Sequence, residues 1–461
     1  MESNDNVAES KLRSLGYEPA FKRVLGVSSL VWFGLSYLSP IEVFTQFGLM
    51  SGMTHGMMTL AYLVATLAIL FTVASYSKMV SVYPVAGSAY TYVQRSVNPH
   101  LGFITGWVML LDYILLPMVC ILFLGLFMNN YCPLVPIWAW IILSVLIVGV
   151  INVLGIEPTV RVNTGTVIAQ AAFSLLFLFV VAKLVMEGGG AGTFYSWPAI
   201  YNAPEFNTDD FLMSVGVLTI AFLGFDAVTT LAEETHQPEK TVGRALLFVC
   251  LIAGSFFLLI SYFCQIAWPS AWKEIVDPNT GFLEVSLHLQ ADYMQSLYFW
   301  IGNLASLTCV VSAQATIARI LFGMGRDGAL PKRFFAYVSP RYKTPVYNIA
   351  LVSTISLSAV FFSDSVMNAV SLISFGALLG FIMVNIAVIS HFYLRGKRRS
   401  PVDTIQYLLF PLTGAGLCLY FLLSLAYQAK VLGFAWLGLG ILYTALSTDF
   451  FRKLPPDLTL E

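Results

Sequence analysis

Residues 37–42, YLSPIE, interrupt the first long apolar segment of the chain with a proline and an acid. Pro40 has no N–H to donate and its ring clashes with the preceding turn, so we expect a helix to break here. Residues 223–226, LGFD, interrupt a later apolar segment with a glycine and a second acid. Broken helices are tolerated at membrane depth only where the freed backbone groups line a polar cavity inside the protein. The two stretches therefore predict two discontinuous membrane helices beside a polar site.

The overall composition is typical of a membrane protein. Hydrophobic residues make up 58% of the 461 residues and charged residues only 11%, whereas soluble proteins contain about 25% charged residues. A soluble chain with so few charges does not cover its own surface, which argues against a soluble enzyme or a disordered chain. The 24 basic and 25 acidic residues nearly cancel, which removes any net-charge argument for a nucleic-acid partner. The six cysteines are scattered, so no disulfide framework or metal site is predicted.

The apolar segments predict the number of membrane helices, since each helix needs about 20 apolar residues to cross the bilayer. We predict an all-α integral membrane protein with twelve spans, at 24–50, 56–80, 101–129, 134–154, 163–186, 211–231, 244–268, 293–318, 346–363, 366–391, 405–427 and 431–448. If the N-terminus is cytoplasmic, 21 of the 24 basic residues fall on the cytoplasmic side, leaving outside only Lys183, Lys273 and Lys430. This asymmetry follows the positive-inside rule and predicts that both termini are cytoplasmic.

The spacing of the two breaks suggests an internal repeat. They lie in the first and sixth predicted spans, so two successive five-helix units would have opposite orientations. This is the layout of inverted-repeat secondary transporters, whose substrate site lies at two discontinuous helices. We therefore divide the chain into four parts. Residues 1–23 form a cytoplasmic tail, and residues 24–391 form a transporter core with repeats at about 24–186 and 211–391. Residues 404–448 form two additional helices, and residues 449–461 form a second cytoplasmic tail.

Three acidic residues fall within the predicted spans: Glu42, Asp112 and Asp226. No Lys, Arg or His lies at comparable depth. Ionisable groups inside the membrane are costly and by default mark binding sites or ion pathways. Carboxyl groups without an internal cation are either protonated or bind a cation that is not part of the protein. Both alternatives describe the transport of a cation, with Asp226 and Asp112 as candidates to carry a coupled proton. A purely structural role, as a neutral acid bonded to a carbonyl, also remains open, most of all for Asp112.

Glu42 follows Pro40 at the start of the outer half of the first span, where a half-helix end is positive and suits an anion. In a carrier of amino acids this end would bind the substrate carboxylate, but here the protein supplies its own. We therefore predict a substrate that is an amine without a carboxylate, and a diamine can bridge two acids. The candidate binding residues are Ser39, Pro40, Glu42, Asp112, Gly224, Phe225 and Asp226, with backbone carbonyls at the breaks and cation–π contacts from Tyr37, Trp107 and Tyr113.

Several motifs resemble one known group of transporters. They are PVAGSAYTY at 84–92, NPHLGF at 98–103, GFD at 224–226 with Glu233, Glu234 and Pro238, and MGRDG at 324–328. In this order they are similar to the amino acid–polyamine–organocation (APC) superfamily over nearly the whole chain. LLDY at 110–113 and LGFDAVTT at 223–230 further resemble the bacterial putrescine importers of that superfamily.

The resemblance implies a leucine-transporter-like fold of five plus five helices, uptake driven by an ion gradient, and the bacterial inner membrane. It implies binding at the breaks of helices 1 and 6, with Asp226 at an acidic position that relatives use for coupling or gating. Two features depart from the pattern. First, the helix-1 break of amino-acid carriers reads Gly-Ser-Gly, whereas this chain has Pro40, Ile41 and Glu42 at that place. Second, the helix-1 acid of putrescine importers lies about one turn after Glu42, at the position of Thr45 in this chain. The fifth span also lacks the lysine of some proton-coupled relatives.

From these observations we predict a secondary active transporter that imports putrescine or a similar small di- or polyamine by alternating access. We expect no cofactor beyond a co-transported proton or sodium ion, and as partners the amine and the lipid bilayer. The alternatives are a cationic amino acid permease, an amino acid–amine exchanger, and a sensor built on a transporter fold. The chain has no catalytic cluster or phosphate loop, which argues against a membrane enzyme. Monomer and homodimer are both compatible with the sequence.

Overall fold

The computed structural model describes residues 10–450 and 452, apart from residues 11, 15, 17, 19, 277, 279, 280, 362–365 and 426. Across these residues all regular elements are helical, and an isolated parallel bridge joins Leu25 to Thr235. The main helices are α1 (Val27–Leu38), α2 (Glu42–Met53), α3 (Met58–Val82), α4 (Ser88–Ser96), α5 (Pro99–Tyr131), α6 (Ile137–Leu154), α7 (Ile156–Met186), α8 (Thr208–Leu218), α9 (Pro238–Ala267), α10 (Gly281–His288), α11 (Tyr293–Arg326), α12 (Val346–Leu357), α13 (Val366–Val388), α14 (Phe410–Ser424) and α15 (Tyr427–Ser447).

Short helical segments connect or extend the main helices. The 3₁₀ turns are Trp197–Ala199, Ala203–Glu205, Thr219–Phe222, Asp226–Glu234 and Ser358–Phe361. Single α-helical turns occur at Ala271–Glu274, Lys332–Phe335 and Pro401–Thr404, and wider π-helical turns at Ile389–Arg395 and Ile405–Leu409. The predicted tails, 1–23 and 449–461, lie largely outside the described residues.

Nine helices in the described part of the chain are long and apolar enough to cross a membrane, and the bent pair α1–α2 makes a tenth. The two other predicted spans are irregular. Residues 211–231 form the end of α8 followed by 3₁₀ turns, and 346–363 form α12 and a 3₁₀ turn that ends at Phe361. The structure therefore has the expected all-helical membrane architecture, while the count of twelve and the inverted repeat stay predictions.

Both predicted breaks are present. Helices α1 and α2 meet at an angle of 44°, and Ser39 between them has a left-handed backbone with φ of 50°. The second break separates Thr219–Phe222 from Asp226–Glu234, and Gly224 between them has φ of 102°. Pro40 and Gly224 thus interrupt the two helices, as their backbone chemistry predicts.

Several helices extend beyond the predicted membrane spans, and two of them place basic residues differently from the prediction. Helix α7 begins at Ile156 rather than at 163, because Gly155 with φ of 119° makes the whole turn from α6. Arg161, expected in a loop, is an exposed residue of α7. Helix α11 continues from the predicted end at 318 to Arg326, so that Arg319 lies within a helix and is buried. Both differences arise because helices extend beyond the apolar segment that the hydropathy pattern detects.

Small residues allow the helices around the site to approach closely. A Cβ atom on Gly254 of α9 would lie 2.5 Å from the Thr66 side chain of α3. A Cβ on Gly376 of α13 would lie 2.8 Å from the Val108 carbonyl oxygen of α5. Such contacts are typical of membrane helices, whose packing depends on close backbone approach. They join α9 to α3 and α13 to α5.

Candidate substrate site

The two helix breaks contact each other directly. A Cβ atom on Gly224 would lie 1.9 Å from Cδ1 of Tyr37, so the tyrosine ring packs on the glycine backbone. Tyr37 is the penultimate residue of α1 and is buried. Both the close approach and the positive φ require glycine at position 224. The structure thus brings the two predicted interruptions together at one place in the bundle.

Asp226 lies at the beginning of the 3₁₀ segment that follows the second break. Its side chain is 1% exposed, and its Oδ2 accepts a hydrogen bond from the Tyr113 hydroxyl. The backbone N–H groups of Gly224, Asp226 and Ala227 also face its carboxylate. The N–H groups at a helix start favour negative charge nearby. The second break therefore orients Asp226 and supplies it with donors.

Asp112 is the second acid at this place. It is 3% exposed, it lies on α5 against Gly376 of α13, and it interacts electrostatically with Asp226. Within the described residues, its Oδ1 has no hydrogen-bond partner. Two carboxylates buried close together repel each other, and a cation between them relieves this repulsion. The pair is therefore suited to an ammonium group or a proton.

Aromatic side chains enclose the two aspartates. Tyr37, Tyr76 and Tyr113 all interact electrostatically with the pair, and in the described structure the buried hydroxyls of Tyr37 and Tyr76 lack a hydrogen-bond partner. Phe225 is fully buried, with its ring centroid 5.4 Å from that of Tyr76. Tyr76 was not predicted, because one tyrosine among the 22 of an aromatic-rich membrane chain carries no distinguishing pattern. Together these groups offer hydroxyl dipoles and ring faces to a cation.

Glu42 begins α2, as predicted, and is half-buried. Its neighbours differ from those of the aspartates: it bonds to the Thr45 side chain and interacts with Tyr62 and Tyr298. The Thr45 and Tyr298 hydroxyls are 2.6 Å apart. The structure therefore separates the three acids into an aspartate pair and a Glu42 subsite. Thr45 follows Glu42 by three residues, which places both on one face of α2.

The carbonyl groups at the breaks are less free than predicted. The Ser39 carbonyl accepts the Glu42 N–H at 2.9 Å, and the Gly224 carbonyl accepts the Ala227 N–H at 3.1 Å. Tight turns around each break satisfy these groups locally, although each oxygen retains a second lone pair. The Ile41 N–H donates instead to Oε1 of Gln170 on α7, at 3.1 Å. Gln170 therefore joins the first break to a neighbouring helix, a role that sequence reasoning did not find.

Trp107, predicted to offer a cation–π contact, packs against Trp436 of α15 in the structure. Its indole N–H donates to the Trp436 carbonyl at 3.1 Å, and the Trp436 indole returns a bond of 3.0 Å to the Trp107 carbonyl. The two rings are stacked with centroids 4.7 Å apart. Trp107 thus attaches α15 to α5, a packing role that accounts for its aromatic ring.

The chain matches a known transporter family along most of its length. Residues 30–441 match the amino acid permease family. The chain belongs to that family. Among individual relatives it is 36% identical to the low-affinity putrescine importer PlaP of Escherichia coli strain K12, over 95% of this chain and 96% of the relative. It is 26% identical to the branched-chain amino acid permease BcaP of Bacillus subtilis strain 168, over 95% of each chain. It is also 26% identical to the vacuolar cationic amino acid transporter 2 of Arabidopsis thaliana, over 86% of this chain and 65% of the relative.

A second set of charges lies in the permease where the 3₁₀ segment Asp226–Glu234 ends. Arg319 forms a buried ion pair with Glu234, and Arg326 Nη1 lies 2.8 Å and 3.0 Å from the two Glu233 oxygens. The N–H groups of Val24 and Leu25 donate to the Glu234 carbonyl, at 2.9 Å and 3.0 Å. These contacts join the segment before α1 to α11 and to the end of the second broken helix.

We expect Gly224→Ala to reduce uptake by the permease by at least about tenfold. The new methyl group overlaps the Tyr37 ring, and a left-handed backbone costs a non-glycine residue about 1–2 kcal/mol. The measurement is transport into vesicles, normalised to the amount of folded protein.

Gly52→Ala is the matched control for this substitution. A Cβ on Gly52, within α2, meets nothing within 4 Å, so uptake should stay at the wild-type level. Wild-type uptake by Gly224→Ala would show that the close contact between the two breaks is dispensable.

Proposed function

We propose that this permease imports putrescine or a similar small diamine across the bacterial inner membrane by alternating access. The observation that carries the proposal is the buried pair Asp112–Asp226, enclosed by tyrosines at the junction of two broken helices. Of the ion pairs among the described residues, none includes either aspartate or Glu42. A site that concentrates carboxylates without basic partners favours a cationic substrate.

One ammonium group of the amine binds between Asp112 and Asp226. An ammonium has three hydrogen-bond donors, which suits the unpartnered Asp112 oxygen and the Asp226 carboxylate. Binding to Asp226 replaces the hydrogen bond from Tyr113. The faces of Tyr76 and Phe225 then add cation–π attraction to the desolvated charge.

The second ammonium group binds at the Glu42 subsite. Glu42 is half-buried, beside the hydroxyls of Thr45 and Tyr298. Because the acid is at the positive start of α2, it occupies the place that would otherwise favour a substrate carboxylate. This argues for a diamine over a cationic amino acid. The similarity to a protein named a low-affinity putrescine importer, over 95% of this chain, supports the same choice.

The remaining parts of the proposal concern topology and coupling. Twelve spans, arranged as two inverted five-helix repeats and two further helices, agree with the broken first and sixth helices. The excess of basic residues between alternate spans supports cytoplasmic N- and C-termini. A proton carried by Asp226 or Asp112, or a sodium ion, drives uptake. The electrostatic interaction between the two buried carboxyl groups supports a proton as the coupled ion, since one proton relieves the repulsion within the pair.

The proposal is tested by uptake of labelled putrescine into vesicles that contain the purified permease. An inward proton gradient should drive accumulation above the equilibrium level, and an uncoupler should abolish it. A sodium gradient imposed on matched vesicles distinguishes sodium coupling from proton coupling. Uptake no higher than in protein-free vesicles under either gradient would refute putrescine import.

We expect Glu42→Gln to weaken the binding of a diamine but not of a monoamine. Loss of a charged hydrogen-bond partner costs about 1.5–3 kcal/mol, so the affinity for putrescine should fall at least about tenfold. Butylamine, which has the same carbon chain but a single ammonium group, should keep its affinity for the aspartate pair. The measurement is the inhibition constant of each amine against labelled putrescine or butylamine. An equal loss for both amines would contradict a separate Glu42 subsite.

A further inference from the structure

A cavity lies beside the first broken helix and is lined by residues from Ser28 to Pro40 on that side. It has a volume of about 360 Å³ and lies between α1, α7 and α9. Its walls are almost entirely apolar and include Val31, Leu35, Val167, Ala171, Phe248 and Ile252. None of these residues contributes to the candidate substrate site.

The cavity opens toward the lipid-facing surface of the protein. Phe248 and Ile252 at its edge are 50% and 45% exposed, and Ala171 is exposed as well. They lie on α9 and α7, two of the helices long and apolar enough to span a membrane. An apolar cavity continuous with such a surface is in contact with hydrocarbon rather than with water.

The length of the cavity matches one lipid leaflet. It extends from Ser28, at the start of α1, to Pro40 at the helix break. At 1.5 Å per residue, the helical part of this path is about 15 Å long. The hydrocarbon of one leaflet is also about 15 Å thick, half of a 30 Å core. A single acyl chain lying along α1 would therefore fill the cavity over its whole depth.

We propose that one acyl chain of a membrane phospholipid binds in this cavity as a site-bound lipid. The lipid belongs to the leaflet in which α1 begins. At the inner end of the cavity, buried Gln170 accepts the Ile41 N–H, and Pro40 forms the adjacent wall. The acyl chain excludes water from this bond and supports α1 from behind.

Trp32 provides an intrinsic probe for the test, because its half-buried ring lines the cavity. The permease is placed in phosphatidylcholine vesicles that contain increasing fractions of a lipid with brominated acyl chains, which quench indole fluorescence on contact. The Trp32 signal is the fluorescence of the wild type minus that of the Trp32→Phe variant. Quenching by a single bound chain should increase linearly with the brominated fraction. An indole in contact with several exchanging lipids is quenched along a steeper curve.

Ala171→Phe and Ala172→Phe form a matched pair of variants. Both residues are exposed on α7, but only Ala171 lines the cavity. Because protein interiors are close-packed, the ring at position 171 should displace the chain and reduce Trp32 quenching by about half or more, while Ala172→Phe leaves it unchanged. The proposal would be overturned if the Trp32 fluorescence were quenched equally in the two variants. It would also be overturned if quenching of the wild type followed the steeper curve, or if Trp32 were not quenched at all. If Ala171→Phe does not fold, the wild-type titration alone decides. Fluorescence does not depend on transport, so this test and the putrescine test fail independently.

Discussion

Replacing Asp226 by Asn is expected to reduce putrescine uptake at least about 30-fold. The carboxylate is buried, oriented by a hydrogen bond from Tyr113 and faced by backbone N–H groups of its own turn. Removing one partner of a buried, hydrogen-bonded charge pair costs about 2–5 kcal/mol. The amide has the same shape but brings no negative charge to the ammonium group. The loss should therefore appear as weakened substrate binding in a protein that is still folded.

The measurement compares initial uptake rates and putrescine dissociation constants for the wild type and three variants. Asp209→Asn removes an exposed acid in the first turn of α8 and should behave like the wild type. Tyr113→Phe removes only the hydroxyl that contacts Asp226 and should have a smaller effect than Asp226→Asn. Wild-type binding and uptake by Asp226→Asn would exclude the aspartate from substrate recognition.

Replacing Arg319 by Met is expected to lower the free energy of unfolding by about 3–5 kcal/mol, because it leaves Glu234 as a buried charge without its partner. Arg319 and Glu234 are both buried, with about one-twentieth of each side chain exposed. The double variant Arg319→Met/Glu234→Gln removes the unpaired charge and should regain much of the lost stability. The measurement is unfolding of the detergent-solubilised protein with and without each substitution.

Arg333→Met is the control for this series, since Arg333 is exposed and a surface substitution changes stability by at most about 0.5 kcal/mol. Should the double variant be no more stable than Arg319→Met, the two residues would not act as a pair. The ion pair also joins α11 to the second broken helix, so opening on this side of the bundle requires that it separate or move as a unit. Loss of the pair should therefore alter transport rate as well as stability.

The breaks could be predicted because their chemistry is local. Proline removes a backbone donor wherever it stands in a helix, and Gly224 adopts a backbone that other residues disfavour. Glu42 and Asp226 adjoin these breaks in the sequence, so their place at helix starts followed directly. Membrane architecture could likewise be predicted from apolar segments, which reflect the thickness of the bilayer.

The contacts between distant segments could not be predicted in the same way. Trp107 is paired with Trp436, 329 residues away, and an aromatic residue on a membrane helix gives no sign of which face it occupies. Tyr76 contacts the aspartate region only because close helix packing brings α3 to the break. The separation of Glu42 from the aspartate pair also depends on the bend between α1 and α2, which the positions of Pro40 and Glu42 in the sequence do not reveal.

The central claim, that the site selects an amine without a carboxylate, is tested most directly by comparing putrescine with ornithine. Ornithine has the same two ammonium groups on the same carbon chain and adds one carboxylate. With Glu42 at the start of α2, we expect putrescine to displace labelled putrescine from the purified permease at least about tenfold more effectively than ornithine. Ornithine that competes as well as putrescine, or better, would contradict the account.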